Sequence, residues 1–118
     1  MLRTTPKFGR YGAFDELACP SCGSRYLHHL EVALFDRDRE DAQTTLRTVV
    51  RQGRVRSQGY VQSEDCGNPS ARRDGVAIKF WCEGCHGVSA LTFAQDKGTT
   101  QVAWMVERAT EPAGAFCG

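Results

Sequence analysis

The sequence predicts a mainly β, antiparallel domain, on three observations. Short segments rich in Val, Thr and aromatic residues alternate between apolar and polar positions, and turn residues punctuate them at short intervals. No segment has the apolar periodicity of an amphipathic helix. Two pairs, Cys19-Pro20-Ser21-Cys22 and Cys82-Glu83-Gly84-Cys85, supply four thiolates at the spacing of a tetrahedral zinc site held by two knuckles, the pattern of a zinc ribbon. The 59 residues between the pairs (23–81) far exceed the usual span of about 15–20. A long β-hairpin insertion, residues 36–75, is therefore expected between the knuckles.

Residues 1–18 carry Arg3, Pro6, Gly9 and Gly12 among scattered aromatics and read as an irregular arm, with one helical turn over 15–18. The domain proper is assigned to 19–107. Residues 26–35 read as a strand leaving the first knuckle, with His28, Leu30, Val32 and Leu34 on one face and His29, Glu31, Ala33 and Phe35 on the other. Residues 44–50 and 54–62, rich in Thr and Val, flank Gln52-Gly53 and predict a hairpin whose arginines face water. Gly67-Asn68-Pro69-Ser70 and Asp74-Gly75 mark a loop. Val76, Ile78 and Phe80 then alternate into a strand that delivers Cys82 to the second knuckle. Residues 88–95 and 99–107 predict a hairpin around a three-residue loop, Asp96-Lys97-Gly98, with Leu91 and Phe93 facing Val102, Trp104 and Val106. Residues 108–118 read as a C-terminal tail.

At 118 residues the chain fits one domain, near the size at which a bound metal adds useful stability. Fifteen Lys+Arg against 14 Asp+Glu give no global field that would mark a nucleic-acid or membrane binder. Local charge is uneven: residues 44–63 hold Arg47, Arg51, Arg54 and Arg56 and no acid. Twelve of the fifteen cations are Arg, which fits either phosphate binding or a GC-rich coding bias. No apolar run approaches the ~20 residues of a membrane helix and no secretory signal is visible, so a cytoplasmic location is expected. In that setting the paired cysteines favour metal over disulfides, and Cys66 and Cys117 remain as free thiols.

Four thiolates saturate one Zn²⁺, so the expected site is structural and has no position at which to activate water. Pro20 restricts the first turn, and Gly23 supplies a positive φ there. In the second knuckle His86 stands where glycine is expected, which implies an altered turn or a ring donor beside the metal. Cys82-Glu83-Gly84-Cys85-His86 also matches a c-type haem attachment pattern, but haem would leave Cys19 and Cys22 without a task. A thioredoxin-like disulfide would need a helix after a Cys-x-x-Cys pair, and neither pair has one.

At Asn68-Pro69-Ser70-x-Arg72-Arg73-Asp74-Gly75, Phe80-Trp81-Cys82-Glu83-Gly84-Cys85 and Ala94-Gln95-Asp96-Lys97-Gly98-Thr99-Thr100, the chain resembles small zinc-ribbon proteins of bacteriophage, prophage and actinobacterial genomes. The likeness spans roughly residues 18–107 and implies a zinc-binding protein on a mobile element. Asp96 stands where that pattern usually has His, which speaks against catalysis at that hairpin.

The leading expectation is a non-catalytic binding module. Zinc holds a β scaffold that presents Arg47, Arg51, Arg54 and Arg56 on the hairpin, and Arg72 and Arg73 on the loop, to nucleic acid or a nucleoprotein complex. Tyr60, Phe80 and Trp81 offer stacking faces. The alternative is a protein-directed phage inhibitor or adaptor, acting for example on a host nuclease, CRISPR or transcription complex. An enzyme is disfavoured because no activated nucleophile, paired carboxylates or Gly-rich phosphate loop is present. No small-molecule substrate or membrane partner is inferred.

Overall fold

The computed structural model describes residues 2–106. Nine strands form in chain order: β1 Leu2–Thr4, β2 Phe8–Tyr11, β3 Phe14–Leu17, β4 Leu27–Asp36, β5 Thr44–Arg51, β6 Arg54–Gln62, β7 Gly75–Cys82, β8 Val88–Asp96 and β9 Thr99–Val106. The only helical piece among the described residues is a 3₁₀ turn, Ser63–Asp65. Seven strands make one antiparallel sheet in the order β1-β9-β8-β7-β4-β5-β6, and β2 and β3 make a separate hairpin. No helix among the described residues is long and apolar enough to cross a membrane.

Two expectations for the N-terminus are corrected. Residues 2–17 are not an irregular arm, because β1 adds to the β9 edge and β2 pairs with β3. Residues 14–17 are strand rather than a helical turn; pairing of Phe14 with Tyr11 and of Leu17 with Phe8 satisfies backbone groups that a single helical turn would leave open. The expected tail at 108–118 lies outside the described residues.

Turn chemistry fixes the hairpins. Gln52 and Gly53 both take positive φ (51° and 74°), as do Lys97 and Gly98 (49° and 83°), the signature of two-residue type I′ turns. The β8–β9 loop is thus one residue shorter than expected, since Asp96 pairs with Thr99 inside the ladder. A bulge in β4 between His29 and Glu31 corrects the face assignment of its first half: His28 opposes Trp81 and shares the face of Glu31, Ala33 and Phe35.

Cross-strand register divides the sheet into two unlike faces. One carries rows such as Arg54–Arg51–Glu31–Lys79–Ala90 and Arg56–Val49–Ala33–Ala77–Thr92. The other carries Val55–Val50–Val32–Ile78–Leu91–Trp104 and Ser57–Thr48–Leu34–Val76–Phe93–Val102. The core lies on the first face, where Ala33, Phe35 and Val49 pack with Cys66. The loop after β6 is pinned beside it: Asn68 Nδ2 donates to the Arg73 carbonyl at 2.8 Å and Ser70 Oγ donates to the Gln95 carbonyl at 2.6 Å. Gly75 permits that closure, because a Cβ there would meet Asn68 Oδ1 and lie 2.8 Å from Pro69 Cδ.

Candidate metal centre

The two cysteine turns are built alike. In the first, the Gly23 N–H donates to the Cys19 carbonyl at 2.9 Å and the Cys19 N–H to the Ser24 carbonyl at 2.8 Å. In the second, the His86 N–H donates to the Cys82 carbonyl at 2.9 Å and the Cys82 N–H to the Gly87 carbonyl at 3.0 Å. Gly23 (φ 80°) and His86 (φ 61°) occupy the same left-handed position, so the turn survives replacement of the expected glycine. The His86 ring stacks on Trp81 at 5.5 Å between centroids, and the His28 ring meets Trp81 in a tilted contact at 5.9 Å. His28 Nε2 sits 3.0 Å from Glu83 Oε1. Both imidazoles are thus engaged outside the thiol cluster.

Pairing of Leu27 with Cys82 brings the turn before β4 against the turn after β7, and the Glu83 N–H donates to the Tyr26 carbonyl at 3.0 Å. The four Sγ atoms then lie within 4.8 Å of one another. Cys19 Sγ is 3.8 Å from Cys85 Sγ, and Cys22 Sγ is 3.5 Å from Cys82 Sγ. A tetrahedral ion with metal–sulfur bonds of about 2.3 Å requires sulfur–sulfur distances of about 3.8 Å. The cluster therefore fits one metal ion with no large rearrangement. Gly84 is part of that fit, since a Cβ there would lie 3.2 Å from Cys22 Sγ and 3.1 Å from Ser24 Cβ.

The thiols differ in acidity. For Cys82, burial opposes ionisation, but the amides of Cys85 and Gly84 and the Cys22 thiol bring its pKa down to about 6. For Cys22, the Ser24 amide favours the thiolate but is outweighed by the sulfur neighbours, Cys82 foremost, and by desolvation, which push it up to about 11. The negative charge settles on the sulfur with the best amide donors.

The β2–β3 hairpin is tied to the first knuckle. The Ala18 N–H donates to the Lys7 carbonyl at 3.0 Å, Arg25 Nη1 lies 3.1 Å from Glu16 Oε1, and the Arg25 guanidinium sits over the rings of Tyr11 and Tyr26.

The six arginines singled out from the sequence separate into three groups. Arg47 does not face water: it is 1% exposed, its guanidinium lies over Phe35 at 5.6 Å, and Nη1 donates to Gln58 Oε1. Alternation places it on the core face between Thr45 and Val49, and the β5–β6 bulge brings Gln58 within its reach. Arg51, Arg54 and Arg56 share the charged face and line a cleft of about 260 Å³ with Glu31, Val49, Gln52 and Gln58. Arg72 bonds Asp41 at 3.1–3.3 Å and pairs with Glu40 at 3.1 Å. Arg73 follows Arg72 in the same loop, beyond the far end of β4, so the loop and hairpin arginines do not form one surface.

Sequence reasoning missed Lys79 and Glu31. Glu31, 4% exposed, bridges Lys79 (3.4 Å) and Arg51 (3.8 Å), and so joins β7 to the charged face. Only strand register reveals that row. Cys66 is buried with Sγ 3.4 Å from the Ser63 carbonyl, far in sequence from the thiol cluster and outside it; Cys117 lies outside the described residues. Comparison with family models, curated proteins and solved structures gave no match for this chain.

Proposed function

We propose that the chain is a zinc-ribbon-type, non-catalytic binding module whose charged sheet face engages the phosphate backbone of nucleic acid, with the residue 36–75 insertion supplying the binding strands. Zinc is the preferred ion for four thiolates at tetrahedral spacing. A closed tetrathiolate site serves folding, and a reducing cytoplasm would keep its ligands available. The observation that carries the nucleic-acid reading is the concentration of arginines on one face of two adjacent strands, β5 and β6. Arg51, Arg54 and Arg56 line one cleft, and Arg54 stands directly opposite Arg51 on the neighbouring strand. Glu31, 3.8 Å from Arg51, offsets part of the repulsion between these like charges in the free protein, and a bound polyanion would relieve the rest.

The test is fluorescence anisotropy with single- and double-stranded oligonucleotides at low and near-physiological salt. Replacing Arg51, Arg54 and Arg56 with Gln should weaken binding across sequences and flatten the salt slope by about 0.9 unit per lost duplex phosphate contact. Arg72→Gln should change little, because that cation is already paired. No binding at low salt would overturn the reading.

A second reading, a protein-directed adaptor or inhibitor of phage type, is favoured by a different feature. Phe8, Tyr11 and Phe14 on the β2–β3 hairpin are 59%, 61% and 74% exposed. Exposed aromatics on a hairpin anchored to the metal turn suit the anchor role found at protein interfaces.

A further inference from the structure

The apolar face of the sheet has no part in the metal site or the charged cleft. Five adjacent strands, β5-β4-β7-β8-β9, present Val50, Val32, Ile78, Leu91 and Trp104 in one row and Thr48, Leu34, Val76, Phe93 and Val102 in the next. Trp104 is buried, with Phe80 edge-on to it at 5.7 Å. The rest of the two rows stays open to solvent in part, and Leu34 and Val102 are 38% and 43% exposed. Neither row contains a Lys, Arg, Asp or Glu, whereas the opposite face carries Arg51, Arg54, Arg56 and Lys79. Soluble monomers rarely leave a contiguous apolar surface of this breadth uncovered.

We propose that this face packs against the same face of a second copy of the chain, forming an isologous two-fold dimer in which two sheets stack as a sandwich. The two rows carry no charge and so offer a polyanion no contacts, and at their edge Leu34, Val76 and Phe93 share a cleft with Asp36, Arg73, Asp74 and Lys97, whose mixed signs favour no partner of a single charge. A second copy supplies a surface of the same chemistry and the same twist, and sheets of equal twist pack face to face at about −30° with side chains interdigitating. The size also fits. Five strands about 4.8 Å apart and about 27 Å long present roughly 600 Å² of sheet plane per copy, of which the two apolar rows, about 14 Å along the strands, form the central half and the flanking positions the rim. A specific interface needs about 500 Å² per partner at least and typically about 800 Å² of accessible surface, which a corrugated sheet of that plane area can supply. Stacking on this face turns both charged clefts outward, so the dimer does not compete with the binding proposed above and does not depend on it.

The experiment is sedimentation equilibrium of the full, metal-loaded chain over a concentration series from about 1 to about 200 µM, a range that reaches the weak, micromolar end of what interfaces of standard size show. The expected result is a reversible monomer–dimer equilibrium. Leu34→Glu and Val102→Glu, at partly exposed positions, should each shift dissociation at least tenfold toward monomer while metal content and the β circular-dichroism spectrum stay unchanged. Leu34→Gln is the milder companion should the acid disturb folding. Arg3→Glu, a charge change on the opposite face, should leave the equilibrium where it is. A wild-type chain that remains monomeric throughout the series overturns the proposal, and so does a dimer that survives the variants at Leu34 and Val102 or is broken equally by Arg3→Glu.

Discussion

Arg47 shows how little a residue's type says about its task until its face is known. It belongs by composition to the acid-free basic run, and water-facing arginine is the ordinary expectation for a strand in a small sheet. Its parity with Thr45 and Val49 sends it into the core, where Phe35 meets the guanidinium face and Gln58 takes one of its N–H groups. Removing a buried, hydrogen-bonded cation leaves a cavity and an unpaired amide. Arg47→Ala should therefore destabilise the fold by about 2–4 kcal/mol in denaturant unfolding. At protein concentrations and temperatures where the variant remains folded, its oligonucleotide affinity should match wild type. Arg54→Ala and Arg56→Ala should behave oppositely, since those side chains are exposed, and leave stability within about 0.5 kcal/mol. If Arg47→Ala lost binding but kept full stability, Arg47 would belong with the surface arginines and not with the core.

Hairpin turns are the elements that most directly convert dipeptide chemistry into register. Both type I′ turns place a long polar residue, Gln52 or Lys97, at a positive φ that L-residues other than Asn, Asp and Gly adopt reluctantly. Gln52→Asn and Lys97→Asn should each raise stability by about 0.5–1 kcal/mol, read as a higher thermal midpoint with an unchanged denaturant slope. An unchanged or lower midpoint would mean that the native side chains make contributions beyond turn geometry. These same dipeptides explain what could be read in advance. Gln52-Gly53 and Lys97-Gly98 announced their hairpins, the alternation through Val76, Ile78 and Phe80 announced β7, and the cysteine spacing announced the thiol cluster. The N-terminal strands were hidden because β1 and β2 are three and four residues long and gain their stability from partners distant or across a turn. The β4 bulge was hidden for a related reason: one inserted residue reverses the faces of His28 and His29 without any composition signal. Lys79 joined the charged row only through its register with Glu31.

At the scale of the whole molecule, the thiol cluster closes a chain segment that contains the middle of the sheet. Cys19 and Cys22 precede β4, Cys82 ends β7 and Cys85 follows it, so the strands between them, which hold the core and the charged face, lie inside the loop that a metal held by the cluster would close. The free energy of a metal bound there would then be folding free energy for the sheet and not a local property of two turns. Replacing Cys82 with Ser should abolish stoichiometric metal and the cooperative unfolding transition together, whereas Cys66→Ser, outside the cluster, should keep one equivalent of metal. Acidity adds a direction. Cys22, held up at about 11, must lose its proton to the metal at any lower pH, so affinity rises with pH across the neutral range. Cys82, held down at about 6, is already thiolate there, and begins to compete for a proton only as pH falls through that value. Metal loss should therefore steepen below about pH 6, and because the metal contributes its binding energy to the fold, the thermal midpoint should fall over the same interval. Titrating the metal-loaded chain from pH 8 to pH 4 with a chromophoric chelator, while following circular dichroism, measures both. Release of metal with the sheet transition unchanged would show that the strands hold without it, and would confine the cluster's role to the two turns.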